Sequence, residues 1–481
     1  MAAISQLPVI QQVGAAPGTG AAPSHVQPGE DRPDWGAARC LIAATATAGL
    51  VGVPLGLHLA YWMLSGRMAE VPWVAWVQAH GQLQIFGWLG LSILGVTFHA
   101  MAHLFGTAEA SNRLAWSVLI LQLSGVALRF FAPIVVRGDA ALRPWNAGAW
   151  LLLASALALL AAFAITLEAH VRTLPRRGGG GRAPAVLPRY LLSGLVLWLV
   201  ALLVNLDGAV DALRFGSPSA GAISPDRDAL VVIAAGGGMA LIALGMSLRV
   251  VVGWLDLPPP DLRRASRAWL PLLIGTVLRV ASAATGDPPT LQALAAVVWA
   301  AGVLFYLPAL RGLWSAGAVT VGGGRRGEAD PPLAWFVRTA YAGLLAAALL
   351  AAAEVWAVLV GDIGPLSPHA LADGGRHALL FGYLGVLTAG LSGRLPTAFL
   401  DLGDRGVAAT RLAYRVTWLL ILPAAVLRVA GPLAGDIRAP LIAVAGVLGT
   451  AAFCSLLWAL VTLARQRAAL ARARRLSGAA A

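Results

Sequence analysis

Twelve apolar runs, each long enough to cross a hydrocarbon core of about 30 Å, leave this chain almost no way to fold except through a bilayer. Their expected limits are 38–64, 74–105, 114–134, 145–171, 190–212, 229–252, 269–285, 290–314, 335–361, 375–399, 412–431 and 440–464. Hydrophobic residues make up 58% of the 481 and charged ones only 12%, about half the share of charge in a soluble domain. The fold class read from the sequence is therefore an all-α polytopic membrane protein, with the lipid bilayer as its first partner.

Charge sets the expected orientation. The formal net charge is +13, and all the basic residues are arginine. Sorted by loop, 23 arginines fall on one side, among them Arg176, Arg177, Arg182, Arg325 and Arg326, and seven on the other. This asymmetry predicts both termini and the Gly-Arg loops at 176–182 and 322–326 on the cytoplasmic side of the membrane. No strand precedes those glycine runs and no lysine follows, so they read as linkers and not as phosphate cradles, and the basic balance does not imply nucleic acid. Residues 1–37 lack a basic segment followed by an apolar run, and read as a disordered tail before a single transmembrane domain, 38–475, and a short C-terminal tail, 476–481. Cys40 and Cys454 give neither a disulfide framework nor a thiolate cage.

One spacing recurs three times. The second, sixth and tenth spans each read Gly, seven residues, Gly, three residues, then a basic or imidazole side chain: Gly87, Gly95, His99; Gly237, Gly245, Arg249; Gly382, Gly390, Arg394. The following span then carries Leu128-Arg129, Leu278-Arg279 or Leu427-Arg428. Three four-span units are expected from this, about 38–185, 186–330 and 331–475. The glycines read first as packing positions, where small residues let transmembrane backbones approach.

Ionisable groups inside spans are costly and are functional candidates by default. They are His58, His80, His99, His103, Asp207, Asp211, Glu354 and His377. His25, His170 and His369 fall in the tail, at a span end and in an outer loop, and read as solvated. His80 and His377 open the second and tenth spans from the outer side, offset by two residues on the repeat alignment, about 3 Å of helix rise. Two imidazoles at one depth on equivalent helices are what an axial pair on a heme iron requires. His58, Asp207 and Glu354 occupy similar positions in the first spans of the three units, where they either converge on a second metal or bond to neighbouring helices and to Arg129, Arg279 and Arg428. Those arginines also suit heme propionates, which take bidentate partners. His99 and His103, at i and i+4, share one helix face and could clip a metal if a third ligand joined them.

The stretch from His80-Gly-Gln-Leu-Gln-Ile-Phe-Gly87 through Gly95 to His103, with Arg376-His377-Ala-Leu-Leu-Phe-Gly382 through Arg394, resembles the NnrS family of bacterial twelve-span proteins, described as binding heme and copper and linked to nitric oxide stress. The resemblance covers two segments of about 25 residues and implies that His80 and His377 are metal ligands. The chain departs from the family pattern at Gln82 and Gln84, and at Leu395-Pro396-Thr397 after the late arginine. Its architecture is also similar to heme-copper oxidase subunit I, in which histidines of the second and tenth helices hold the low-spin heme. Residues 171–368 contain no histidine, which excludes an oxygen-reducing binuclear centre of that type.

The expectation is thus a membrane protein of NnrS type holding one b-type heme near the outer leaflet, with His80, His377, Arg129 and Arg428 at the cofactor and a role in nitric oxide response or redox protection, supplied by an electron donor. Two rivals remain. One is a secondary transporter coupled through Asp207, Asp211 and Glu354. The other is a degenerate oxidase-like protein that carries electrons without reducing oxygen.

Overall fold

The computed structural model describes residues 35–70, 72–105, 111–135, 147–173, 186–215, 221–314, 331–360, 366–400 and 402–478. The sequence before Trp35, the Gly-Arg loops and the side chains of His103 and His170 lie outside the described residues. All regular structure among the described residues is helical. Among the described residues twelve helices are long and apolar enough to span a membrane: Trp35–Leu64, Trp73–His99, Asn112–Val135, Ala147–Ala169, Val186–Phe215, Pro225–Ser247, Leu262–Ala284, Pro289–Ala309, Pro332–Val360, Pro368–Phe399, Gly403–Leu433 and Gly435–Ala473. We refer to them as the first to twelfth spans. Large apolar side chains such as Leu192, Leu359, Leu412 and Trp458 are exposed. That is the expected outside of a protein whose solvent is lipid.

The spans that carry the glycine spacing are the centre of the bundle. The second, sixth and tenth are 72%, 72% and 61% buried, against 50% or less in every other span. They touch one another pairwise, while the third and fourth, fifth and sixth, seventh and eighth, and eleventh and twelfth pack as helical hairpins, and the twelfth closes onto the first. The second glycine of each motif makes the same kind of contact. A Cβ on Gly95, Gly245 or Gly390 would lie 2.6, 2.7 or 2.6 Å from the Cβ of Cys40, Tyr190 or Phe336, in the first, fifth and ninth spans. Backbones this close admit no side chain, so the packing reading of those glycines holds.

The second and tenth spans are not regular α-helices. Each contains an eight-residue π-helical segment, Leu83–Gly90 and Ala378–Gly385, and the two fall at identical positions relative to the motif glycines. Both contain Phe-Gly-aromatic-Leu-Gly, as Phe86 to Gly90 and Phe381 to Gly385. The sixth span is α-helical throughout. Widened π turns are uncommon and concentrate at functional sites.

Two boundaries differ from the sequence reading in ways that matter. The tenth span begins at Pro368 and not at 375, because Ser367 caps it by accepting from the Ala370 amide and the polar turn that follows is helical. His369, expected in a loop, is therefore in its first turn. The sixth span ends at Ser247, with Arg249 outside helical geometry (φ −121°) before a short helix, Val250–Trp254.

Candidate functional site

His80 and His377 lie about two turns into the second and tenth spans, two helices in contact at the centre of the bundle. His80 Nδ1 lies 2.8 Å from the carbonyl oxygen of Gly52 in the first span. His377 Nδ1 lies 2.8 Å from the carbonyl oxygen of Asp373, one turn earlier in its own helix. A carbonyl can only accept, so in both rings Nδ1 carries the proton and Nε2 is left with its lone pair. This is the tautomer a metal-ligating imidazole takes when the other nitrogen is anchored. The two rings are within electrostatic reach of each other, and both are within reach of Arg428. Below them, the ring of Trp88 lies where a Cβ on Gly385 would be, 2.5 Å away, so the two π segments are in direct contact.

His80 is seated by glycine. A Cβ on Gly56 would lie 2.7 Å from His80 Cε1, and Gly52 supplies the accepting carbonyl. The spacing Gly52, Gly56 thus puts two adjacent turns of the first span flat against the imidazole. A π segment, Ala48–Gly52, ends at the first of these glycines.

The sequence reading missed Asp373, because it started the tenth span two residues too late to include it. The carboxylate stands 3.3 Å from His377 Nδ1, 3.5 Å from Arg428 Nη1 and 3.9 Å from Arg438 Nη2. Beside it opens a polar cavity of about 400 Å³, whose lining includes His369, Asp373, Arg376 and Arg438. The helical i, i+4 relation of Asp373 to His377 was the available signal.

The three repeated arginines have three different environments. Arg129 is buried, donates from Nη1 to the Gly221 carbonyl (2.9 Å) and from Nη2 to Gln78 Oε1 (2.6 Å), and leaves Nε without a partner among the described residues. Arg279 pairs with Glu354 at 2.8 Å. Arg428 faces Asp373. The three first-span groups do not converge. Glu354 is held by Arg279 and Gln292. Asp207, its side chain 62% exposed, and Asp211 both pair with Arg227 at the start of the sixth span. His58 is exposed on the bundle surface against Trp62, with ring centroids 4.3 Å apart. Each group belongs to a separate local contact. His99 packs on Phe399 at 4.2 Å between centroids. Among the described residues no three His, Cys, Asp or Glu side chains gather as a metal site.

No protein-family model matches the sequence, and no curated protein matches it. The fold does have a solved counterpart. The chain is similar to a structure described as a heme-copper terminal oxidase dimer, with a TM-score of 0.59 over 89% of this chain and 84% of that one, at 13% sequence identity. At that identity the likeness is one of fold. This is a multi-pass membrane protein built on that architecture.

Proposed function

We propose that the chain binds one b-type heme between its second and tenth spans, whose iron His80 Nε2 and His377 Nε2 would hold. The observation that carries the proposal is the matched tautomer: two imidazoles at one end of two adjoining central spans, each anchored through Nδ1–H on a main-chain carbonyl. The donor set fits the group, since heme iron takes neutral imidazole nitrogens and His80 and His377 both offer one. The oxidase-like architecture, whose solved counterpart is named for heme and copper, supports the same reading.

Arg428 is the first candidate to hold a heme carboxylate; Arg129 already donates to Gly221 and Gln78, and its Nε has no partner among the described residues. When bound, the heme would supply one-electron chemistry. The residues around it fix the imidazole orientation and place a cation, Arg428, within reach of both rings. The short NnrS-like segments favour a role in nitric oxide response or redox protection, in a bacterial inner membrane with the histidine end outward and both termini cytoplasmic. We read the three glycine contacts as a threefold internal repeat. Copper enters this reading only through His99 and His103. A transporter reading is less favoured, because Asp207, Asp211 and Glu354 each already have an arginine partner.

The test is an absorption spectrum of the detergent-purified protein, oxidised and reduced, with His80→Ala and His377→Ala beside His99→Ala. A b-type spectrum lost in the first two variants and kept in the third is expected. Unchanged bands in His80→Ala would overturn the assignment.

A further inference from the structure

Three tryptophans mark the end of the bundle at which the odd-numbered spans begin. The residues that precede Cys40, Tyr190 and Phe336 in the first, fifth and ninth spans are Arg39, Arg189 and Trp335, and each stacks on a tryptophan two spans further on. Arg39 Cζ lies 4.7 Å from the ring centre of Trp116, Arg189 Cζ 5.8 Å from that of Trp269, and the rings of Trp335 and Trp418 are 5.0 Å apart. Tryptophans gathered at one end of a bundle are what a membrane boundary selects.

Between the fifth and seventh spans this boundary is strongly charged. The seventh span exposes Leu270, Ile274 and Val277, at the three-and-four-residue spacing of one helix face. Arg267 and Arg263 continue that face one and two turns earlier, and both are exposed. On the fifth span, exposed Leu192 and Val196 are likewise preceded, one turn earlier, by exposed Arg189. Arg189 Nη1 donates across the groove to Ser266 Oγ at 3.4 Å, and Trp269 Nε1 to Ser193 Oγ at 3.1 Å. None of the three arginines has an acidic partner among the described residues. The nearby carboxylate of Asp261 caps the seventh span and pairs with Arg264 and Arg311 instead.

We propose that the groove between the fifth and seventh spans binds the head group of an anionic phospholipid, held by Arg189, Arg263 and Arg267. Two observations select that class. The arginines stand where the lipid-facing apolar stripes of both helices stop, the level at which a bilayer carries its phosphates, so chains that cover Leu192 and Leu270 bring a head group to the guanidiniums. Three cations without a counter-ion then favour a lipid of net negative charge, because the cationic group of a zwitterionic head would meet like charge. A phosphodiester accepts paired N–H donors from a guanidinium, a geometry that an ammonium cannot supply. The two equivalent places are filled differently. Arg39 is held between Trp35 and Trp116, and Trp335 stands where the fifth span has Arg189. The middle third of the chain, which contributes no histidine, thus has a binding site of its own. Nothing in this assignment rests on the heme reading.

The test strips the full-length protein of lipid in a non-ionic detergent and titrates it with phosphatidylglycerol or with phosphatidylcholine of the same chains, counting bound lipids by native mass spectrometry. Tighter binding of phosphatidylglycerol is expected. Arg189→Gln with Arg267→Gln should weaken the tightest-bound phosphatidylglycerol about tenfold. Arg189→Lys with Arg267→Lys, which keeps the charge without the fork geometry, should recover part of the loss. Arg465→Gln with Arg472→Gln, exposed on the twelfth span and equal in charge, should leave the affinity unchanged. Inorganic phosphate at the same concentration should not displace the lipid. All four positions are exposed, so the variants fold and the comparison is read on intact protein. Equal loss in the two glutamine pairs would assign the effect to net charge, and displacement by phosphate would make the groove an ion site. Equal affinity for the two lipids would leave the arginines to some other acidic partner. Each of these results overturns the proposal.

Discussion

The Gly52 carbonyl accepts the Nδ1 proton of His80 at 2.8 Å across 28 residues of sequence, and so fixes which nitrogen of that ring is free. The contact depends on Gly56 having no side chain, because a Cβ there would lie 2.7 Å from His80 Cε1. Gly56→Ala should therefore push the imidazole off its carbonyl and cost about 1–3 kcal/mol by overpacking. Gly81→Ala, beside His80 but with nothing within 4 Å of its Cβ, should instead be neutral or slightly stabilising. Thermal melts of the two variants, with heme occupancy measured on the same samples, check the contrast. If both glycines tolerate alanine equally, the seat assigned to the first span is wrong.

The Arg279–Glu354 pair gives a prediction about stability alone. Glu354 is 7% exposed and also accepts from Gln292, so replacing it leaves a largely buried guanidinium without its counter-ion. Glu354→Leu should cost about 3 kcal/mol, and Arg279→Met with Glu354→Leu less than that, since removing both charges removes the desolvation penalty as well. Denaturation in mild detergent measures the difference. Both variants should keep the heme bands, because Arg279 and Glu354 pair with each other while His80 and His377 are held by Gly52 and Asp373. A transporter coupled through Glu354 would instead lose transport while keeping its stability.

Orientation has its own test, independent of any cofactor. The arginine asymmetry puts the segment between the ninth and tenth spans outside and the end of the twelfth inside. A periplasm-dependent phosphatase fused after Gly364 should be active, and the same reporter fused after Leu470 silent. The reverse pattern would place His80 and His377 at the cytoplasmic face.

Hydropathy made all twelve spans legible, because each must present about 20 apolar residues to the bilayer. The glycine spacing marked the second, sixth and tenth spans as places of close helix approach, since such approach tolerates only small residues; that these three form the centre of the bundle came from the structure. What the sequence hid were features that obey no such period. Phe86-Gly87-Trp88-Leu89-Gly90 is as hydrophobic as any α-helical turn, so its π geometry left no mark in the hydropathy. Asp373 was lost because the first turns of the tenth span are polar and cap-stabilised, which an apolar-run criterion reads as loop. Of the two alternatives left open for His58, Asp207 and Glu354, local contacts and not convergence are what the structure has. Equal offsets place three groups at similar depth but do not set the face each uses: Asp207 and Glu354 pair with Arg227 and Arg279, and His58 packs on Trp62.

The repeated arginines should separate by partner. Arg428→Gln removes a cation within reach of both imidazoles and should lower heme occupancy or shift its reduction potential. Arg279→Gln should affect stability only. Arg129→Gln should be the most destabilising of the three, because it opens the links to Gln78 and the Gly221 carbonyl inside a buried site, with a loss of about 2–4 kcal/mol. Heme titration and melting curves on the three variants distinguish these effects. Heme loss that tracks melting temperature in all three would assign the arginines to the fold alone.

Asp373 offers the most direct test of whether the surroundings of His377 tune a bound metal. Its main-chain carbonyl holds Nδ1–H of His377 at 2.8 Å, while its carboxylate lies 3.3 Å from the same nitrogen and also faces Arg428 and Arg438. Asp373→Asn keeps the carbonyl, and with it the tautomer, but removes the negative charge behind the ring. A carboxylate in that position raises the basicity of the opposite nitrogen, so its loss should weaken donation to iron and favour the reduced state. The reduction potential should therefore rise by tens of millivolts, where 59 mV corresponds to a tenfold change for a one-electron couple. Stability should also fall, by about 1–3 kcal/mol, as Arg428 and Arg438 lose their shared counter-ion. A potentiometric titration separates the two consequences. A raised potential in a protein that still binds heme fully would show the carboxylate acting through His377, whereas an unchanged potential with lowered stability would confine Asp373 to pairing with the arginines.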